Sequence, residues 1–448
     1  MELTNDSKIA VVGGGPAGSF AAYFLLDFAR RIGLEGIEVD IFEPKAFDCT
    51  GAKGCNHCGG LISESMLQNL SMEGILIPSD VIMNSVDSYR LHTRDGQVHI
   101  HLPLVQMRIA TVYRGGGPKP DGKEAHQELP KLSFDSYLLD LATAKGAKHV
   151  PERVMKLSWE ADRPRVETKN GTSRAYDLLI GAVGVNGGGM KLFEDWDFGY
   201  APPETVKAYV SEFHLGRDIV QRYVGSAMNV FLLDIPGLKF AAIIPKGPYV
   251  TLCIQGEITD ELVNAFLDDP AVRRCFPPEW EPPRGMCHCL PKCNIGEPQR
   301  FFTDRVALVG DCGVSRLYKD GIGAAYLTAR ACAATAVFFG IGADDFQKHY
   351  LPICNRLKRD NQLGHMVFDM IALPKKLAFL RLGILSMTRR EQALAGPRRP
   401  MSIFLWNSFT GSATYRRILL EAAHPRFTLR FLWEILKALL PRRRRATA

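Results

Sequence analysis

The sequence predicts an α/β protein: a discontinuous domain on a parallel sheet, a second domain on an antiparallel sheet, and a C-terminal helical segment. Three observations carry that expectation. Apolar runs at Lys8 to Val12 (KIAVV), Asp177 to Gly184 (DLLIGAVG) and Arg305 to Val309 (RVALV) each lead into glycine and read as strands buried on both faces. Residues 86–112 and 206–257 instead alternate apolar and polar side chains, the pattern of antiparallel strands. The tail carries helical periodicity, clearest at Leu429, Leu432, Trp433, Leu436 and Leu440.

The first apolar run enters Gly13-Gly14-Gly15-Pro16-Ala17-Gly18 and then the helix-like SFAAYFLLDFARR. Gly13, Gly15 and Gly18 fall in G-x-G-x-x-G register between a strand and a helix. The first glycine suits a tight turn, the second lets backbone N–H groups approach a pyrophosphate, and the third lets the helix pack on the sheet. A second strand, Ile37 to Phe42, ends at Glu43, which is placed to accept a ribose hydroxyl, with Lys45 close behind. Strand, motif, helix, strand and terminal acid together predict a dinucleotide site that includes Pro16 and Ala17.

With 448 residues, 41 glycines, 27 prolines and 46% hydrophobic residues, the composition is that of a folded globular protein of two or three units, which excludes fibrous and disordered classes. The net charge of +7 is unevenly spread: Pro374 to Ala448 hold 16 Lys/Arg against 3 Glu, so the rest of the chain is net acidic. A local basic block of this kind points to an anionic surface. The N-terminus reads as lacking a signal peptide, so the expectation is a cytoplasmic protein whose 11 cysteines are buried, catalytic or metal-bound rather than disulfide-linked. No uninterrupted apolar run of about 18 residues predicts a membrane span.

The third run continues through Gly310-Asp311 to DGIGAAYLTARACAATAVFF, a helix led by Gly321, Ile322 and Gly323. This resembles the second FAD signature of the flavoprotein hydroxylase and reductase superfamily. The resemblance implies that Asp311 holds a ribityl hydroxyl and that the helix start at Gly321 and Gly323 faces the flavin ring, where backbone N–H groups stabilise negative charge on the reduced ring. FAD is therefore the expected cofactor, on a Rossmann-like domain of the para-hydroxybenzoate hydroxylase type. Two departures stand out: Val183 occupies the place of a family Asp, and Lys131 replaces the Arg of an R-x-x-F-D segment ending at Asp135. The first weakens direct docking of a nicotinamide cofactor, and the second loses bidentate geometry. NAD(P)H and ferredoxin both stay open as electron donors.

The domain boundaries that follow are 1–84, 128–190 and 295–350 for the FAD-binding domain, 85–127 and 191–294 for the substrate domain, and 351–448 for the helical segment. In the tail, Leu429, Leu432, Trp433, Leu436 and Leu440 fall on one helical face, Arg430, Glu434 and Lys437 on another, and Arg442 to Arg445 close the stretch. An amphipathic helix with Trp and a basic cluster reads as a peripheral membrane anchor, at the inner face of the membrane for a cytoplasmic protein. A helix packed on the protein is the bland alternative. Nucleic acid is not expected, because no recognition module accompanies the charge.

Cys55-Asn56-His57-Cys58-Gly59-Gly60 resembles the C-x-x-C-G-G segment of the geranylgeranyl reductases, FAD enzymes that saturate isoprenoid chains. Phe240 to Gly247 (FAAIIPKG) is similar to their aromatic-rich strand ending in Pro-Lys-Gly. The resemblance implies a substrate chamber lined by Phe240, Ala242, Ile244 and Pro245, with Ala242 smaller than the residue common in relatives and so widening it. An isolated C=C has no carbonyl to accept charge, so hydride from flavin N5 needs a proton delivered to the other carbon. The segment's place near the flavin makes Cys58 the candidate donor or chain-positioning residue, with Gly59 and Gly60 giving access and Cys55 as redox partner.

The cysteine pattern leaves other readings open. Cys287, Cys289 and Cys293 could join Cys49, Cys55 and Cys58 in a zinc or iron–sulfur site, although the spacing matches neither a common zinc finger nor a ferredoxin run. A reversible disulfide is a further reading. The same scaffold also supports monooxygenases, and a flavoprotein passing electrons to quinone is the remaining enzyme class.

Overall fold

A computed structural model of the chain describes residues 1–47, 59–104, 107–115, 132–282, 288–394 and 399–439. The α/β class predicted from the sequence is the one observed. A six-stranded sheet runs in the order Phe302–Thr303, Val306–Leu308, Leu178–Gly181, Lys8–Val12, Glu38–Phe42, Lys148–Val150. All neighbours are parallel except the first pair. Its central strands are continuous apolar runs because helices cover both faces. Helix Pro16–Arg31 lies against helix Gly321–Phe338, with Phe20 and Phe24 packing on Tyr326 edge to face. The latter is also the one helix among the described residues long and apolar enough to cross a membrane, but most of it is buried in this core.

The second sheet is formed by His288–Cys289, Thr205–His214, Tyr249–Gly256, Leu238–Lys246, Ala227–Leu232, Ser88–Thr93 and Gly96–His101 in spatial order, with Lys292–Asn294 pairing beside the long Thr205–His214 strand. Most pairs are antiparallel; Ala227–Leu232 and Ser88–Thr93 are parallel. Alternation then gives the sheet two different faces. Ala241 and Ile243 join Phe213, Phe231 and Phe266 under helix Asp260–Leu267. Ile244, Met228, Val230 and Tyr89 join a core completed by the C-terminal helices, with Phe240 and Ala242 packed against it.

The tail is five helices: Leu351–Lys376, Ala378–Ala393, Pro400–Phe409, Tyr415–Ala422 and Pro425–Leu439. They close over the inner face of the second sheet. Buried Trp406 donates its indole N–H to Met107 O at 3.1 Å, and Arg381 pairs with Asp95 in the Ser88–Thr93 to Gly96–His101 turn. A separate three-stranded sheet, Leu61–Ser63, Ile109–Val112 and Ile82–Val86, ties the first sheet's outgoing chain to the second domain.

The last helix departs from simple amphipathicity. Phe427, Glu434 and Ile435 face the protein, while Leu429, Leu432, Trp433, Leu436 and Leu439 are between 51% and 68% exposed. Glu434, which periodicity assigns to a polar outer face, is buried and accepts from Arg390 (2.8 Å) and Ser386 (3.0 Å). Gly383 admits Ile435 so closely that a Cβ there would overlap it, which fixes the helix against Ala378–Ala393.

Candidate functional site

The glycine motif forms a backbone cradle at the end of Lys8–Val12. Gly13 adopts φ +107°, and a side chain there would strike Ala182 O. At Gly18 a Cβ would overlap Gly13 O, so helix and turn can pack only without one. Gly15, by contrast, has open space in front of it. It is the N-cap of helix Pro16–Arg31 and supplies no side-chain cap, while Pro16 removes one N–H at the helix start. An open, uncapped helix N-terminus is the geometry that receives a phosphate.

Glu43 is nearly buried at the end of Glu38–Phe42. Its two oxygens accept from Gly14 N and Lys45 N, each at 2.9 Å. Burial pushes its carboxyl upward, opposed by those two N–H bonds and by Lys45. Each oxygen keeps a further lone pair for a donor such as a ribose hydroxyl. Asp135 is held by Arg114 through two bonds of 3.0 and 3.2 Å. Arg114 thus supplies a bidentate partner to the Asp of the segment that starts at Lys131, a residue outside those described.

The second signature meets the first. Gly310 has φ +69°, and a Cβ there would lie 2.6 Å from that of Ala17. Asp311 accepts from Ser315 Oγ at 2.6 Å and lies beside Gly321, where a Cβ would stand 3.5 Å from its carboxylate. Helix Gly321–Phe338, which contains Ile322, is capped by Asp320, accepting from Gly323 N at 3.2 Å with its backbone left-handed at φ 58°. Gly323 is required there, because any Cβ would overlap that carboxylate.

Buried Arg316 joins Asp320 (2.8 Å) to Asp360 (3.3 Å), and Tyr415 donates to Leu317 O at 2.5 Å. The tail helices therefore clamp the loop between Asp311 and Gly321, a role the sequence reading missed.

Asn294 was missed as well. Its Nδ2 donates to Asp311 O at 2.8 Å, which fixes the amide orientation and leaves buried Oδ1 with no donor among the described residues. A buried acceptor left so costs about 1–3 kcal/mol. An open helix N-terminus, a ribose-facing acid and an orphaned acceptor beside Asp311 fit a flavin dinucleotide. When bound, that group supplies two-electron hydride transfer.

On the facing sheet, Phe240 stacks on Phe368 at 5.5 Å and meets Phe409 and Tyr318 edge-on. Ala242 and Ile244 share its face. Pro245 is one residue out of phase and is buried on the other side.

Gly59 and Gly60 reach this same face. A Cβ on Gly59 would lie 3.4 Å from Ile244 and 3.8 Å from Cys253 Sγ. Gly60, with φ +60°, is hydrogen-bonded from Val112 N at 2.8 Å, and a Cβ on it would come 3.4 Å from Lys246 Nζ.

Cys49, Cys55, Cys58 and Cys287 lie outside the described residues. Cys289 pairs with Val210 and Cys293 with Val206, and Gln255 donates to Cys293 Sγ at 3.3 Å. Among the described residues no His, Cys, Asp and Glu group could hold a metal.

No protein-family model matches the chain. It is 26% identical over 356 residues to the geranylgeranyl diphosphate reductase of Synechocystis sp., covering 74% of this chain and 75% of that one. It is 24% identical over 357 residues to the digeranylgeranylglycerophospholipid reductase of Haloferax volcanii, covering 75% and 76%. The chain is thus similar to geranylgeranyl-type reductases over most of its length. It spans 66% of the length of the tobacco chloroplastic geranylgeranyl diphosphate reductase.

The fold matches a geranylgeranyl bacteriochlorophyll reductase-like protein of Thermoplasma acidophilum (TM-score 0.62, 15% identity, 97% of this chain and 99% of that one). It also matches a flavin-dependent halogenase (TM-score 0.56, 16% identity, 94% and 70%). Those two likenesses speak to the fold alone.

Proposed function

We propose that this chain uses FAD to saturate C=C bonds of an isoprenoid chain of the geranylgeranyl type. The observation that carries this is the placement of Gly59 against the Leu238–Lys246 strand, where a Cβ on Gly59 would lie 3.4 Å from Ile244. It supports a site in which the C-x-x-C-G-G segment adjoins an apolar strand face. A Cβ on Gly60 would overlap Val112 O, and its φ of +60° suits glycine, so this turn is built for a residue without a side chain. FAD, when bound and reduced, would supply hydride to one alkene carbon and a nearby acid the proton to the other, with Cys58 as the candidate chain-positioning residue. Ala242 gives a wider chamber than an aromatic residue would. NAD(P)H or ferredoxin reduces the flavin.

The exposed Leu429, Leu432, Trp433, Leu436 and Leu439 row, with basic Arg430 and Lys437 on the same helix, supports docking at an anionic bilayer where such chains reside. The protein is then peripheral, at the inner face of the membrane. The test of function is anaerobic incubation of the reduced holoenzyme with geranylgeranylated lipids and mass spectrometry of the product. Gain of two hydrogens per double bond is expected, and unchanged lipid with every prenyl substrate offered would refute the proposal.

A further inference from the structure

The reductase reading needs a proton at the reacting end of the chain, and a buried charged pair stands there. Lys246 and Glu212 side chains are 2% and 4% exposed and meet at 2.7 Å. Thr251 donates to the same Glu212 oxygen at 2.7 Å. Lysine is almost never this buried unless paired. A buried ion pair also gives little stability over apolar side chains of similar volume, because both charges are desolvated. Such a pair is therefore weak evidence of a stabilising role.

Its position is specific. The pleat places Lys246 last in the row Phe240, Ala242, Ile244, Lys246. The ammonium faces Gly60, at 3.4 Å from where a Cβ would stand, and lies 5.1 Å from the Tyr113 ring centroid. Tyr249 meets Tyr113 edge-on at 5.9 Å and closes the enclosure.

We infer that Lys246, held by Glu212, is the group that donates the proton to the alkene; the inference rests on the reductase reading. As hydride from reduced flavin forms one C–H bond, the alkene π pair takes a proton from Lys246 Nζ to form the other. The N–H bonding pair stays on nitrogen, leaving a neutral amine beside Glu212, and a solvent proton restores the ammonium between turnovers.

The test is anaerobic single turnover of the photoreduced holoenzyme with a geranylgeranylated lipid, in wild type, Lys246→Arg, Lys246→Met and the charge-neutral double variant Lys246→Met/Glu212→Gln. Removing the donor should slow flavin reoxidation about 100-fold or more. Bound FAD and lipid affinity should hold. Lys246→Arg should be equally slow, because it keeps the charge but does not release a proton. The double variant should fold with wild-type FAD content, since no lone charge stays buried, and stay slow. Reoxidation within about three-fold of wild type in Lys246→Arg or in the double variant would overturn the inference. Wild-type flavin unreoxidised by every prenyl lipid would instead sink the reductase reading, and the inference with it.

Discussion

The proposed dinucleotide cradle of this protein is made mainly of backbone, whereas the proposed substrate wall is made of side chains. At the cradle, Gly13, Gly18 and Gly310 are places where a single Cβ would meet main chain or the next motif. On the facing sheet, Phe240, Ala242, Ile244 and Lys246 occupy one row of strand Leu238–Lys246, and their side chains make the surface there. A backbone-built site fixes one ligand and tolerates no growth; a side-chain-built wall can be retuned while the fold persists.

The sharpest way to break that contrast is Gly18→Val. Overlap with Gly13 O should weaken FAD by about 100-fold or more, read as flavin absorbance per purified chain. A stoichiometric flavoprotein would show that the cradle is less rigid than its geometry. On the other side, Ala242→Trp should leave FAD content intact and raise KM for a long prenyl substrate by about 10-fold or more, with shorter chains less affected. Equal loss for all chain lengths would mean that residue 242 does not set chamber width.

Asn294→Leu probes the junction of the two sides. It removes the orphaned Oδ1 and the bond to Asp311 O together, so FAD affinity should fall about 10-fold while thermal stability of the apoprotein changes little. Unchanged affinity would remove Asn294 from the cofactor's surroundings.

Motifs contiguous in sequence made the cradle legible, because Gly13 to Gly18 and Gly310 to Gly323 each carry their own turn and helix start. The strands of the second sheet were legible from alternation, including the row from Phe240 to Ile244. What stayed hidden depends on pairing across distance. Lys246 meets Glu212 only because Thr205–His214 and Leu238–Lys246 both flank Tyr249–Gly256. Asn294 gains meaning from Asp311, and Arg114 from Asp135. Periodicity found the apolar row of the last helix but not which way it faces, since Phe427 and Ile435 form a second row that won the packing contest.

The smallest effect expected concerns that helix. Burial pushes the Glu434 carboxyl up, but bonds from Arg390 and Ser386 and the charge of Lys437 outweigh it and hold the group below its ordinary value. A carboxyl lowered in the folded state contributes stability above its unfolded pKa and loses it as pH falls through the folded value. The Pro425–Leu439 helix should therefore loosen as pH falls through and below the ordinary carboxylate range, seen as a change in Trp433 fluorescence. Glu434→Gln should flatten that dependence, and an identical acid transition in the variant would contradict the assignment.

The central claim, that reduced flavin in this fold acts on an alkene, is tested most directly by mixing photoreduced enzyme with a geranylgeranylated lipid under strict anaerobiosis and following the flavin spectrum. Reoxidation with one flavin turned over per bond saturated is predicted. Flavin that stays reduced until oxygen is admitted, and then returns to the oxidised form with an oxygenated product, would contradict it.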